Sequence, residues 1–229
     1  MTLGRFIVKN VLRNKRRTGL TVLSIGFSLF LLIVLWTVLN NLLHPPENDT
    51  SVRRLAVRRS TSLVEQMPVA YGERLQRVPH VAMVMPFQWF GGYYREEKNM
   101  VATLAGDPIM FFDMFPELRV TPEVKKAYQE DRRAAVVGRL LMKHFDWKAG
   151  DTITIKGNLF PVDLELHIVG DYTNPDQENG IYIRWDYLNQ LLGDTGKIGS
   201  FWILADSKEN VPGIIEAVDS MFRNSAAET

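Results

Sequence analysis

The sequence predicts an α+β fold: one N-terminal transmembrane helix followed by a mixed α/β domain of two lobes. Three observations predict it. An uncharged apolar run fills residues 20–39, a block of cations precedes it, and alternating strand-like and helix-like segments occupy the rest. The segments come in the order strand, helix, strand, strand and then alternate irregularly, a pattern of α+β domains.

Residues 20–39 read LTVLSIGFSLFLLIVLWTVL, with no charge and no proline. About twenty such residues, rising about 1.5 Å each, cross a hydrocarbon core of about 30 Å. In lipid a helix satisfies its own backbone polar groups, so helix is the state expected. Trp36 falls near the far interface, and His44, Pro45 and Pro46 end the run. The apolar run exceeds the roughly 7–15 residues of a cleaved signal peptide and lacks a small-residue cleavage site after it, so a retained anchor is the reading.

Residues 1–43 carry six cations and no acid: Arg5, Lys9, Arg13, Lys15, Arg16 and Arg17. Their position before the apolar run predicts a cytoplasmic N-terminus. Arg53, Arg54, Arg58 and Arg59 form a counter-signal, but they lie farther from the run. Over residues 3–14 the cations recur at helical spacing, with Leu3, Phe6, Ile7, Val11 and Leu12 mostly on another face. That pattern predicts a basic amphipathic helix, suited to membrane lipid at the cytoplasmic interface. The expected organisation is therefore 1–17 cytoplasmic basic helix, 18–43 transmembrane helix and 44–229 outer domain. The outer domain holds 21 cations against 26 acids, a net charge of −5, which gives no general attraction for nucleic acid.

Within that domain, residues 53–60 alternate Leu55 and Val57 with Arg54 and Arg58 and read as a strand. Residues 68–78 read as a helix, and residues 81–94 as an aromatic strand broken at Gly91-Gly92. Further strands are expected at 100–105, 134–137, 152–156, 164–169, 181–184 and 201–205. Helices are expected at 108–115, 121–129, 138–145, 185–192 and 211–222. Thr121 followed by Pro122 and Glu123 is a helix start.

Chemistry-bearing motifs are sparse. The chain contains no cysteine, which excludes disulfides, thiolate catalysis and cysteine zinc sites. Phosphate-loop, nucleophile-elbow, HExxH and dinucleotide patterns are absent, so no cofactor and no ATP hydrolysis by this chain are expected. Asp163, Glu165 and His167 share one strand face and read as its wet side, opposite Leu164, Leu166 and Ile168. Asp171, Asp176 and Glu178 crowd a loop that departs from EF-hand spacing and reads as turn chemistry. The four histidines form no metal-ligand spacing. An apolar cluster, Met110, Phe111, Phe112, Met114 and Phe115 with Phe87, Trp89, Phe90, Tyr93 and Tyr94, reads as core between two lobes or as a seat for an apolar ligand. Trp89, Phe90, Phe111, Phe112 and Phe115 are its candidate site residues.

Three stretches resemble a known family: the opening RFIVKNVLRNKRRTGLTVLSIGFSLFLL, the central AAVVGRLLMKHFDWKAGDTITIKGNLFPVDLELHIVGDY, and the closing strand and helix over 201–222. Together they resemble the N-terminal half of permease subunits of the MacB/FtsX-like ABC transporter family. The resemblance implies a periplasmic domain between the first and second of four membrane helices, in a bacterial inner membrane. It implies a second permease copy or homologue as dimer partner, a separate ABC ATPase subunit in the cytoplasm, and motion transmitted to the periplasmic side. A periplasmic adaptor or lipoprotein is a further expected partner. The sequence stops at Thr229, where the family continues into three more membrane helices, so a truncated chain, a gene fragment or a split subunit is expected. Two other classes compete: a single-pass membrane-anchored sensor or adaptor, and a membrane-anchored enzyme, for which no catalytic constellation emerges.

Overall fold

A computed structural model describes residues 13–43, 49–60, 65–174 and 178–223. It divides into two units, Met1–Asn48 and Asp49–Thr229. The first unit is the helix α1 (Lys15–Leu43), 29 residues long, which spans about 44 Å at about 1.5 Å per residue. Its hydroxyls turn back on the helix: Thr21 donates to the Arg17 carbonyl and Thr37 to the Ile33 carbonyl, each at 2.9 Å. That leaves neither side chain seeking water, as lipid requires.

The second unit contains, in chain order, α2 (Asp49–Val52), β1 (Arg54–Arg58), β2 (Met67–Pro68), α3 (Tyr71–Gln76), β3 (Val81–Trp89), β4 (Gly92–Tyr94), β5 (Met100–Gly106), α4 (Phe111–Met114), α5 (Pro122–Glu130), β6 (Ala134–Gly138), α6 (Arg139–Phe145), β7 (Thr152–Gly157), β8 (Asp163–Tyr172), β9 (Gly180–Arg184), α7 (Trp185–Leu191), β10 (Lys197–Ile198), β11 (Ser200–Ala205), a 3-10 turn (Lys208–Asn210) and α8 (Val211–Phe222).

Among the described residues nine strands form one sheet in the order β1-β11-β3-β5-β4-β7-β8-β6-β9, and β9 returns to pair in parallel with β5. That return closes β5, β4, β7, β8, β6 and β9 into a barrel, and leaves β3, β11 and β1 as an open extension. The barrel and the extension are the two lobes. They share one bent strand: the β3 stretch up to Phe87 pairs with β11, whereas Phe87 to Trp89 and then β4 pair with β5. The bend falls at Gly91, whose φ is +59°. A Cβ there would lie 2.7 Å from the Trp89 ring, so the turn needs glycine twice over.

Three apolar cores follow from strand alternation. Ile153, Ile155, Leu164, Leu166, Ile168, Ile181 and Ile183 fill the barrel. Val57, Leu75, Phe201, Ile203, Ile214 and Phe222 sit between the extension and helices α3 and α8. The third core lies on the other face of the extension and against the outside of the barrel. β6 shows the division most simply: Ala135 and Val137 enter the barrel, Ala134 and Val136 the third core, and all are buried. A strand buried on both faces reads as an unbroken apolar run, as AAVVG does.

The boundaries differ from expectation in three places. The helix expected over 68–78 is only α3, because Met67 and Pro68 pair with Ile198 and Lys197 in a small ribbon. The helix expected over 108–115 begins later, since Asp107 Oδ1 accepts the Ile109 and Met110 amides at 2.9 and 3.0 Å and shapes a turn first. The strand expected over 164–169 runs on to Tyr172, because β6 supplies partners for Gly170, Asp171 and Tyr172. α5 starts as expected, with Thr121 Oγ1 accepting the Val124 amide.

Candidate functional site

From Leu20 to Asn40 every described side chain of α1 is exposed, on all sides of the helix. So continuous an apolar surface is stable only against lipid or other apolar helices. Arg13, Lys15, Arg16 and Arg17 sit exposed at its start. Arg5, Lys9 and residues 3–12 of the amphipathic helix expected over 3–14 lie outside the described residues.

The candidate aromatic residues separate into three places. Phe111 and Phe112 are buried in the third core, the lobe junction, with Met85 and Met114. Phe115 packs there too: ring centres lie 5.3 Å from Phe111, 5.2 Å from Trp202 and 6.1 Å from Phe87. Phe90 points the opposite way, into the barrel, and stacks on Phe160 at 5.8 Å. Trp89 is 47% exposed. The structure therefore joins Phe111, Phe112 and Phe115 and places Trp89 and Phe90 elsewhere. Strand alternation separates Phe90 from Phe87, although the two are near in sequence.

Tyrosines border the junction. The Tyr128 hydroxyl donates to the Ile183 carbonyl at 2.7 Å, and complete burial pushes its pKa well above the ordinary value. The Tyr172 and Tyr182 rings meet at 4.9 Å, and burial raises both hydroxyls as well. These groups stay neutral and act as packing with a tethered polar tip.

A charged residue also ties the extension to the junction, and it escapes sequence reasoning. Arg54, on edge strand β1, donates Nη1 to the Met114 carbonyl at 2.9 Å. Its Nη2 reaches Glu117 at 2.6 Å, with side-chain exposures of only 9% and 18%. The guanidinium carbon also lies 4.7 Å from the Phe115 ring centre. A planar fork that meets a carboxylate, a carbonyl and an aromatic face together is an arginine site that lysine could not fill. The only hint in the sequence is that Arg54 alternates with the inward Leu55 and Val57, and so faces the opposite layer.

The polar candidates find protein partners. His167 Nδ1 lies 2.8 Å from Asp131, and Arg133 donates to Glu165 at 2.6 Å. Asp163 accepts the Gly157 amide, and Asp171 pairs with Arg139 at 2.8 Å. Glu178 accepts the Asn174 amide at 3.3 Å, while Asp176 lies outside the described residues. Arg184 holds Asp186 with two hydrogen bonds at 3.0 and 2.8 Å. Burial would raise the Asp186 carboxyl, but the bonds and charge of Arg184, aided by Arg132, hold it below the usual carboxylate range. Burial likewise would raise the Asp131 carboxyl, but the bonds to His167 and to the Arg133 amide hold it below the usual carboxylate range. Among the described residues no group of three or more His, Asp or Glu side chains could hold a metal ion.

The model of the MacB-like periplasmic core domain family matches residues 18–221. No curated protein matches the chain. The periplasmic region of MacB from Actinobacillus actinomycetemcomitans is similar at 13% identity and a TM-score of 0.50, covering 74% of this chain and 84% of that one. The extracellular domain of the noncanonic ABC-type transporter YknZ from Gram-positive bacteria is similar at 10% identity and a TM-score of 0.51, covering 76% of this chain and 95% of that one.

Proposed function

The chain belongs to the MacB-like periplasmic core domain family, the periplasmic domain of ABC-type transporter permeases, and from that premise we propose that it is a non-catalytic permease component. In this reading α1 anchors the domain in the inner membrane, with the cation cluster in the cytoplasm and residues 44–229 in the periplasm. The single observation that carries the anchor is the exposed apolar helix at the start of the family match. Lys15, Arg16 and Arg17 abut its start, which favours the cytoplasmic side for that end.

The family implies an ATPase partner and a permease dimer. We assign Arg5, Lys9, Arg13, Lys15, Arg16 and Arg17 to lipid headgroups and to the ATPase contact. ATP-driven closure there moves α1, and the domain relays the movement to a periplasmic adaptor or lipoprotein. Relative motion of the lobes concentrates at the methionine- and phenylalanine-rich junction, since soft, unbranched side chains repack at low cost. The test is ATPase activity of the reconstituted complex. Changing Arg13, Arg16 and Arg17 together to Glu abolishes stimulation of the ATPase while membrane insertion persists; stimulation that survives correct insertion contradicts the coupling role.

A further inference from the structure

The outer edge of β1 and the flank of α8 enclose a groove of about 340 Å³, lined by Ala56, Arg58 and Arg59 on one side and Ile215, Val218 and Asp219 on the other. Among the described residues, β1 ends the nine-stranded order and pairs only with β11. The Ala205 amide donates to the Arg53 carbonyl at 2.9 Å, so Leu55–Ile203 and Val57–Phe201 are the other hydrogen-bonded rungs. The intervening residues, Ala56 and Arg58, therefore turn their N–H and C=O groups outward. Both are exposed, and among the described residues no strand pairs with this edge. An open edge beside a helix is the arrangement that receives an added strand.

The charges choose the occupant. A second copy pairing β1 antiparallel to β1 about Ala56 would set Arg58 opposite Arg54, a cation already committed to Glu117 and the Met114 carbonyl, and so would offer Arg58 no acid. Arg58 forms no ion pair among the described residues. On the groove side, Ile215 is 44% exposed above Val218, an apolar seat left open. We propose that this groove binds an extended segment of another protein by strand addition to β1. Its apolar side chains point toward Ile215 and Val218, and alternate acidic ones point toward Arg58. The period of two along a strand makes an alternating apolar–acidic sequence the matching chemistry. This inference stands apart from the permease reading, because it needs only the edge, the helix and the Arg58 cation.

The test uses the full chain in detergent micelles and two fluorescent octapeptides, alternating Val–Glu and alternating Val–Lys. The Val–Glu peptide binds and the Val–Lys peptide binds several-fold more weakly. Arg58→Glu reverses that preference, with a change of roughly fivefold for each peptide. Ala56→Pro removes an outward amide without removing a rung to β11, and weakens Val–Glu binding roughly tenfold. Ile215→Asp, on an exposed helix position, weakens it too and serves if the proline variant melts early. The proposal is overturned if neither peptide binds, if Arg58→Glu leaves the preference unchanged, or if Ala56→Pro instead splits a dimer of the chain, which would give the edge to a second copy.

Discussion

The barrel and the lobe junction are both apolar cores, yet they are built from different side chains. The barrel interior is chiefly Ile and Leu, set on strands that close on themselves. The junction is chiefly Phe, Tyr and Met, set between a strand face and short helices. Branched aliphatics on a closed sheet have few rotamers and no free edge, which makes a stiff unit. Rings in tilted contact and methionines can slide and repack. The difference separates a part that keeps its shape from a part where shape can change.

Core truncations probe that contrast with the largest effects. Ile155→Ala costs about 2–5 kcal/mol and Phe111→Ala about 3–5 kcal/mol. In urea, Ile155→Ala lowers one shared transition, whereas Phe111→Ala separates the signal of Trp202 in the junction from that of Trp147 in the barrel. Coincident transitions in both variants would erase the distinction. Arg54→Ala comes next, at about 3 kcal/mol, because Glu117 is left nearly buried without its partner. Replacing both, Arg54→Met with Glu117→Gln, recovers most of the loss in a thermal melt; no recovery would mean that Arg54 acts through packing alone.

Gly106→Ala has a smaller effect, about 1–3 kcal/mol, by overpacking. Its new Cβ would lie 2.4 Å from the Phe111 ring and so presses on the junction rather than the barrel. The Trp202 signal shifts and the Trp147 signal does not. The acid response is smaller still. Asp186 and Asp131 are held below their ordinary range when folded, so their contribution is complete above the unfolded value near 3.9 and disappears as pH falls below about 4. The urea midpoint falls over that range, and Asp186→Asn flattens the fall; an unchanged slope would remove Asp186 from the account of acid stability.

What the sequence reveals follows the same division. The anchor is legible because lipid imposes one rule on twenty consecutive residues. Most barrel strands are legible because alternation or an apolar run marks each one locally. The junction is legible only as composition. Met110 to Phe115 announce a soft cluster, but Phe87 joins it while Phe90 does not, and only the register of β3 decides that. The closure of β9 onto β5 and the reach of Arg54 to Glu117 join residues far apart in sequence, and no local pattern encodes them. The ribbon of β2 with β10 is missed for the same reason, since two-residue strands carry no period.

The most direct test of the membrane-anchored permease reading is topology, and the absence of native cysteine makes it simple. Single cysteines replace Asn14, before the apolar run, and Lys148, on the exposed side of the domain. Intact spheroplasts are treated with a membrane-impermeant maleimide. The prediction is labelling at position 148 in intact cells and at position 14 only after permeabilisation. Labelling at position 14 with protection at 148 would contradict it.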